Sequence, residues 1–93
     1  MGKGARPKTK GLAGKLRHIR LALGLSQSEM MVRIGAQDEI TYNRISDYEL
    51  GKNEPPLAYI LQYARAANVS TDVLIDDDLD LPAKLPAKVK YKP

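Results

Sequence analysis

The sequence predicts an all-α domain of five short helices, on three observations. Apolar residues recur at helical spacing in separate runs, capping or stop residues punctuate those runs, and no stretch carries a strand signal. The 93 residues suit one small domain with a single thin core. Cys, Phe and Trp are absent, so disulfides and thiolate metal sites are excluded. The core must come from Leu, Ile, Val, Met, Ala and a few Tyr.

Residues 1–11, rich in Gly, Lys and Pro, read as a basic arm that is disordered when free. From Leu12 a helical period begins, with Leu12, Leu16, Ile19 and Leu23 on one face, and Gly24 ends it. "SQSE" then fits a capping box, in which Ser26 caps the second helix and Glu29 reaches back to the Ser26 amide. Met30, Met31 and Ile34 supply its apolar face, read as core, and Gly35 stops it. A third helix fits Tyr42 to Leu50, with Thr41 as N-cap, Ile45 and Tyr48 buried, and Gly51 as the stop. In this register Ile40 and Ile45 form a hydrophobic staple. Asp38 is a rival N-cap that lengthens the helix by a turn. "GKNEPP" is a loop, and Pro56 suits the first turn of a fourth helix with Leu57, Ile60, Leu61, Ala64 and Ala67 as its inner face. Ser70 caps a short fifth helix that ends near Ile75. The tandem "LPAKLPAK" at 81–88 contains prolines that exclude helix. The chain thus divides into an arm (1–11), a helical domain (12–76) and an acidic-then-basic extended tail (77–93).

The net charge of +4 is unevenly laid out. Residues 1–20 carry Lys3, Arg6, Lys8, Lys10, Lys15, Arg17 and Arg20 with no acid. Such an arm suits a polyanion; the competing reading is a solvated leader. Asp72, Asp76, Asp77, Asp78 and Asp80 then make residues 72–80 acidic, and Lys84, Lys88, Lys90 and Lys92 follow. No apolar run approaches a membrane span, and no apolar stretch follows the basic N-terminus as in a secretory signal, so a cytoplasmic protein is expected.

The pattern "LRHIRLALGLSQSEM…IG…ITYNRISDYELGKNEPPLAYILQYARAANVSTDVLI" resembles the phage-repressor and Cro type of helix-turn-helix domain, the XRE family. "GLSQ" at the start of the second helix, the Gly35 stop, the apolar Ile45 and "YELGKNEPP" carry the resemblance. It implies a lambda-repressor-like five-helix DNA-binding domain, with the helix-turn-helix at the second and third helices. It implies double-stranded DNA as partner and no cofactor, metal or small-molecule substrate. Ser26 and Gln27, opening the second helix, become phosphate contacts. Tyr42, Asn43 and Arg44 open the recognition helix, and Asp47 lies about one turn further on. Asn suits adenine and Arg suits guanine or phosphate, whereas a carboxylate such as Asp47 can accept from cytosine or repel wrong sites. Lys52 and Asn53 become backbone contacts, and Lys3, Arg6, Lys8 and Lys10 an arm on phosphates or the minor groove. Arg20 and Glu49 take a structural role, as an ion pair tying the first helix to the third. The family pairs as dimers through surfaces around its fourth and fifth helices, where this chain offers Val69, Val73, Leu74 and Ile75.

The sequence departs from the family pattern in two places. The corner between the second and third helices holds about four residues more than the usual three or four. Met31 stands where the family keeps a small residue, and a larger side chain there should push the two helices apart. A longer connector accommodates the wider spacing, so the two departures are expected to compensate.

An enzyme is not expected. His18 is the single histidine, and no second His or Cys completes a metal or nucleophile site. "DDDLD" at 76–80 lacks the glycine and distal glutamate of a calcium loop. The rival from another class is a protein-interaction module of the same fold, such as an antitoxin or accessory regulator. Residues 21–70 favour it, with Arg33, Arg44, Lys52 and Arg65 against Glu29, Asp38, Glu39, Asp47, Glu49 and Glu54.

Overall fold

The computed structural model describes residues 9–86. Five helices lie among them: α1 (Leu12–Ala22), α2 (Gln27–Arg33), α3 (Tyr42–Glu49), α4 (Leu57–Ala67) and α5 (Thr71–Ile75). None of the described residues is in a strand. Lys3, Arg6 and Lys8 of the arm, and residues 87–93, lie outside the described residues.

Local chemistry accounts for most helix ends. α1 to α4 each end by turning one residue left-handed: Gly24, Gly35 and Gly51 at φ 73°, 76° and 76°, and Asn68 at φ 59°. At Gly35 the Ala36 amide reaches back to the Met31 carbonyl and the Gly35 amide to Val32. This Schellman pairing uses carbonyls that the last turn leaves free. Gly51 repeats it, with Lys52 bonding Asp47 and Gly51 bonding Tyr48. α2 starts with the expected capping box: the Glu29 amide donates to Ser26 Oγ at 3.0 Å and the Ser26 amide to Glu29 Oε1 at 2.8 Å. The bond from the Ser26 amide, and after it the nearby Ser26 hydroxyl, hold the Glu29 carboxyl below its ordinary range.

Other starts differ from expectation. Thr41 and Ser70 occupy the N-cap positions of α3 and α5 with extended backbone, but neither side chain bonds a helix amide. Pro56 is the N-cap of α4, at ψ 157°, rather than a residue of its first turn. Its carbonyl accepts from the Tyr59 and Ile60 amides, a role that needs no N–H on the proline.

The core runs through all five helices. Leu12, Leu16 and Ile19 of α1 meet Met30 and Ile34 around α2, Ile45 and Tyr48 of α3, and Leu74 of α5. Met31 is half-buried against the same cluster. On α4 the expected inner face is only partly right. Ile60, Ala64 and Ala67 are buried, but Leu57 is 80% exposed and Leu61 36%. Tyr59 and Tyr63 take the inner positions instead. A chain without Phe or Trp has only tyrosine rings to fill its widest space. Burial pushes the Tyr63 phenol far up, and its oxygen has no hydrogen-bond partner among the described residues.

The corner between α2 and α3 occupies residues 34–41. Ala36 is fully buried, and its carbonyl accepts from the Glu39 amide at 2.9 Å and the Ile40 amide at 3.0 Å. One closed turn therefore carries Gln37, Asp38 and Glu39 outward, where all three are exposed. Asp38 sits in this turn and does not cap α3. Ile40 returns the chain to the core but is half-buried, so the plug at this corner is shared with Ala36. The Tyr59 hydroxyl donates to Glu39 Oε1 and pins the turn to α4. That bond is the main reason the phenol is pushed up to about 12.

A buried charge pair sets α3 against α1. Arg20 Nε donates to Glu49 Oε2 at 2.6 Å and Nη2 to Glu49 Oε1 at 3.0 Å. Nη1 donates to the Leu25 carbonyl at 3.1 Å, which ties in the link to α2. The Glu49 side chain is only 3% exposed, so its charge depends on this partner.

The segment after α5 lies on the bundle. Leu81 and Leu85 pack half-buried against the core, and Asn68 Nδ2 donates to the Pro86 carbonyl at 2.9 Å. None of residues 76–86 is helical.

Two stability series follow from these contacts, both read by thermal or urea unfolding. Ile40→Ala should cost about 1–2 kcal/mol, less than a fully buried isoleucine, whereas Thr41→Ala should stay within about 0.5 kcal/mol because its hydroxyl bonds no helix amide. A larger cost at Thr41 than at Ile40 would mean that the threonine hydroxyl, and not the apolar plug, holds this corner. Arg20→Met should cost about 3 kcal/mol by stranding the Glu49 charge. Tyr63→Phe should be neutral or stabilising, since an unpaired buried hydroxyl is removed.

Candidate nucleic-acid interface

α3 presents a run of polar side chains at its start. Tyr42, Asn43 and Arg44 are all exposed, and none makes a side-chain hydrogen bond among the described residues. Ile45, the next residue, is fully buried and fixes the rotation of the helix. The far end is held by Glu49 on Arg20. The three side chains thus stand on a helix anchored at both ends yet have no internal partner.

The remaining candidates are arranged around this helix. The Ser26 hydroxyl is engaged in the α2 cap. Gln27, half-buried, directs its Nε2 to Glu49 Oε1 at 3.4 Å, so the start of α2 meets the Arg20–Glu49 pair. Asp47 is half-buried and turned toward the loop that follows α3. Its Oδ2 accepts from Asn53 Nδ2 at 3.5 Å, and its carbonyl from the Lys52 amide at 2.9 Å. Lys52 and Asn53 are exposed in that loop. Lys10, the described cation of the arm, is exposed, and its backbone amide donates to Asp77 Oδ2 at 2.9 Å.

Several residues that shape this region are silent in the sequence. Lys15 belongs to the basic run, yet its Nζ donates to the carbonyls of Val73, Asp76 and Leu79 at 2.7, 3.0 and 2.7 Å. That cation is committed to the fold. Glu39 is committed to Tyr59, 20 positions away. Beside it, Gln37, Asp38, Thr41 and Arg44 line an open groove next to the start of α3. No local pattern signals pairings at such separations.

No group of His, Cys, Asp or Glu among the described residues could hold a metal ion. No helix among them is long and apolar enough to cross a membrane.

A family model described as helix-turn-helix matches residues 16–74, well over half of the chain. Among solved structures, the chain is similar to the P22 c2 repressor protein, crystallised in complex with synthetic operator 9T in the presence of Tl+. The TM-score is 0.61 at 24% sequence identity, covering 72% of this chain and 96% of that one. At that identity the likeness shows the fold, which is lambda-repressor-like. A search of curated protein sequences finds no match. The chain belongs to the helix-turn-helix family of XRE or phage-repressor type, whose members are DNA-binding regulators rather than enzymes.

Proposed function

We propose that the protein binds duplex DNA sequence-specifically as a transcriptional regulator, with the start of α3 in the major groove. The observation that carries this reading is the triplet Tyr42, Asn43 and Arg44: adjacent, exposed, and mounted on a helix fixed by Ile45 and by the Arg20–Glu49 pair. Asn43 can present its amide to the two edge atoms of adenine, and Arg44 its fork to guanine or a phosphate. Tyr42 can contact a thymine methyl or a phosphate. Lys52 and Asn53 grip the backbone beyond the helix, with Asp47 holding the Asn53 amide in place. Ser26 and Gln27 take a phosphate at the start of α2, in competition with their bonds to Glu29 and Glu49.

The arm supplies the nonspecific part of the attraction. Four bases face six acids over residues 21–70, so the helical body is not itself strongly basic. Lys3, Arg6, Lys8 and Lys10 provide the cations that release counterions from DNA. The same charge balance favours a second reading, a protein-interaction module of this fold. Duplex binding that weakens with salt separates the two.

A single recognition helix reads few base pairs, so the reading includes a homodimer on an inverted repeat. Of the apolar set near α5, Val69 and Leu74 are spent on the core, Val73 is half-buried and Ile75 remains exposed. Selection from random duplexes should return a two-fold consensus, and sedimentation should show a dimer. A monomer with no inverted repeat would remove this part of the proposal.

Two further outcomes are expected. Asn43→Ala should leave thermal stability nearly unchanged while lowering discrimination between operator and random duplex by about 1–3 kcal/mol. Removing residues 1–8 should flatten the salt dependence of binding by up to about 0.9 log unit for each phosphate that the arm neutralises. An unchanged slope would make the arm a solvated leader.

A further inference from the structure

The root of the arm is held by a residue near the other end of the described chain. α1 begins at Leu12 with Gly11 as its N-cap, and a glycine has no side chain with which to cap. Asp77, 66 positions from Gly11, instead holds the two backbone amides that lead into the helix. Its Oδ1 accepts from the Gly11 amide at 3.0 Å and its Oδ2 from the Lys10 amide at 2.9 Å. The carboxyl lies below its ordinary range, chiefly through the Lys10 amide bond and then the Gly11 one. Lys15, one turn into α1, completes the clasp by donating to the carbonyls of Val73, Asp76 and Leu79.

The clasp fixes where the arm leaves the body. Thr9 and Ala13 line a small cleft with Tyr48, Gly51 and Asn53. A Cβ on Gly51 would lie 3.8 Å from that of Ala13. The chain therefore departs beside the loop that carries Lys52 and Asn53, on the side where α3 ends. The family match stops at residue 74, before Asp77.

The geometry points to Asp77 as a positioning residue for DNA binding, one that aims the basic arm along the backbone contacted by Lys52 and Asn53. This rests on the DNA-binding reading above. The sign of its effect distinguishes it from simple electrostatics. An aspartate near DNA repels phosphate, so charge alone predicts tighter binding when it is removed. A positioning residue predicts weaker binding, because an arm released from its root must be ordered when it binds.

Asp78 is the matched control. It carries the same charge one residue further on, and its side chain makes no hydrogen bond among the described residues. Duplex affinity is measured by fluorescence anisotropy as a function of salt for the wild-type chain, Asp77→Ala and Asp78→Ala, each first shown to be folded by circular dichroism. Asp78→Ala should bind as well as wild type or better. Asp77→Ala should bind several-fold more weakly, with a salt slope lower by about 0.9 for each phosphate the arm no longer neutralises. Its deficit should vanish when Lys3, Arg6 and Lys8 are changed to Gln, since a residue acting through the arm has nothing left to aim. If Asp77→Ala does not fold, Asp77→Asn keeps one acceptor for these amides and should show the same sign of effect. Equal or tighter binding by the Asp77 variant, or a deficit that persists without the arm cations, overturns the inference and leaves DNA binding standing. A wild-type chain that binds no duplex overturns the DNA reading and this inference with it.

Discussion

The placing of α3 depends on one buried ion pair. Glu49 closes that helix, is almost wholly buried, and is satisfied by the fork of Arg20 from α1. The same guanidinium holds the Leu25 carbonyl, and the same carboxylate receives the Gln27 amide. Three helices therefore meet at one charge pair. A hydrophobic contact of similar size could slide or rotate at modest cost, whereas a two-point Arg–carboxylate bond has a preferred plane and direction. The pair thus fixes orientation as well as proximity, and orientation is what the proposed reading of base edges by α3 requires.

With α3 held at its end, the corner before it, residues 34–41, is fixed by contacts of its own. Its residues do not form a loose loop. Gly35 turns the chain left-handed, Ala36 enters the core, and the amides of Glu39 and Ile40 close on the Ala36 carbonyl. Glu39 then docks on Tyr59. Apolar anchors at both ends and a polar anchor in the middle make the corner part of the body. Its remaining exposed acid, Asp38, adds negative charge beside Arg44, so the groove at the start of α3 is electrostatically mixed.

Charge in this chain does two jobs that composition does not separate. Lys15 and Arg20 sit in one acid-free basic run with the arm residues, yet both are consumed internally, on backbone carbonyls and on Glu49. Asp77 lies in an acidic run that looks like a solvated tail, yet it holds the Lys10 and Gly11 amides just before α1. The net charge of +4 therefore does not tell which cations are taken up inside the fold. In the proposed reading the body supplies a fixed frame for a few polar side chains and the arm much of the attraction.

Elements whose causes are local can be read from the residues alone. Helix starts and stops at Ser26, Gly24, Gly35 and Gly51 rest on bonds spanning three to five residues, and all are legible as motifs. The return of Ile40 toward the core and the polar triplet at 42–44 belong to the same class. The Arg20–Glu49 pair was accessible through family resemblance, because no spacing rule connects positions 29 apart. Which side of α4 faces inward, by contrast, is settled by packing. "LAYILQYARAA" is apolar around most of its circumference, so periodicity alone cannot choose between Leu57 and Leu61 and the rings of Tyr59 and Tyr63. The volume left by the other helices makes that choice. Packing likewise joins Lys15 and Asp77 across the two ends of the described chain and lays Leu81 and Leu85 over the bundle. Those contacts join residues that are neighbours only after folding, so nothing in their local sequence records them.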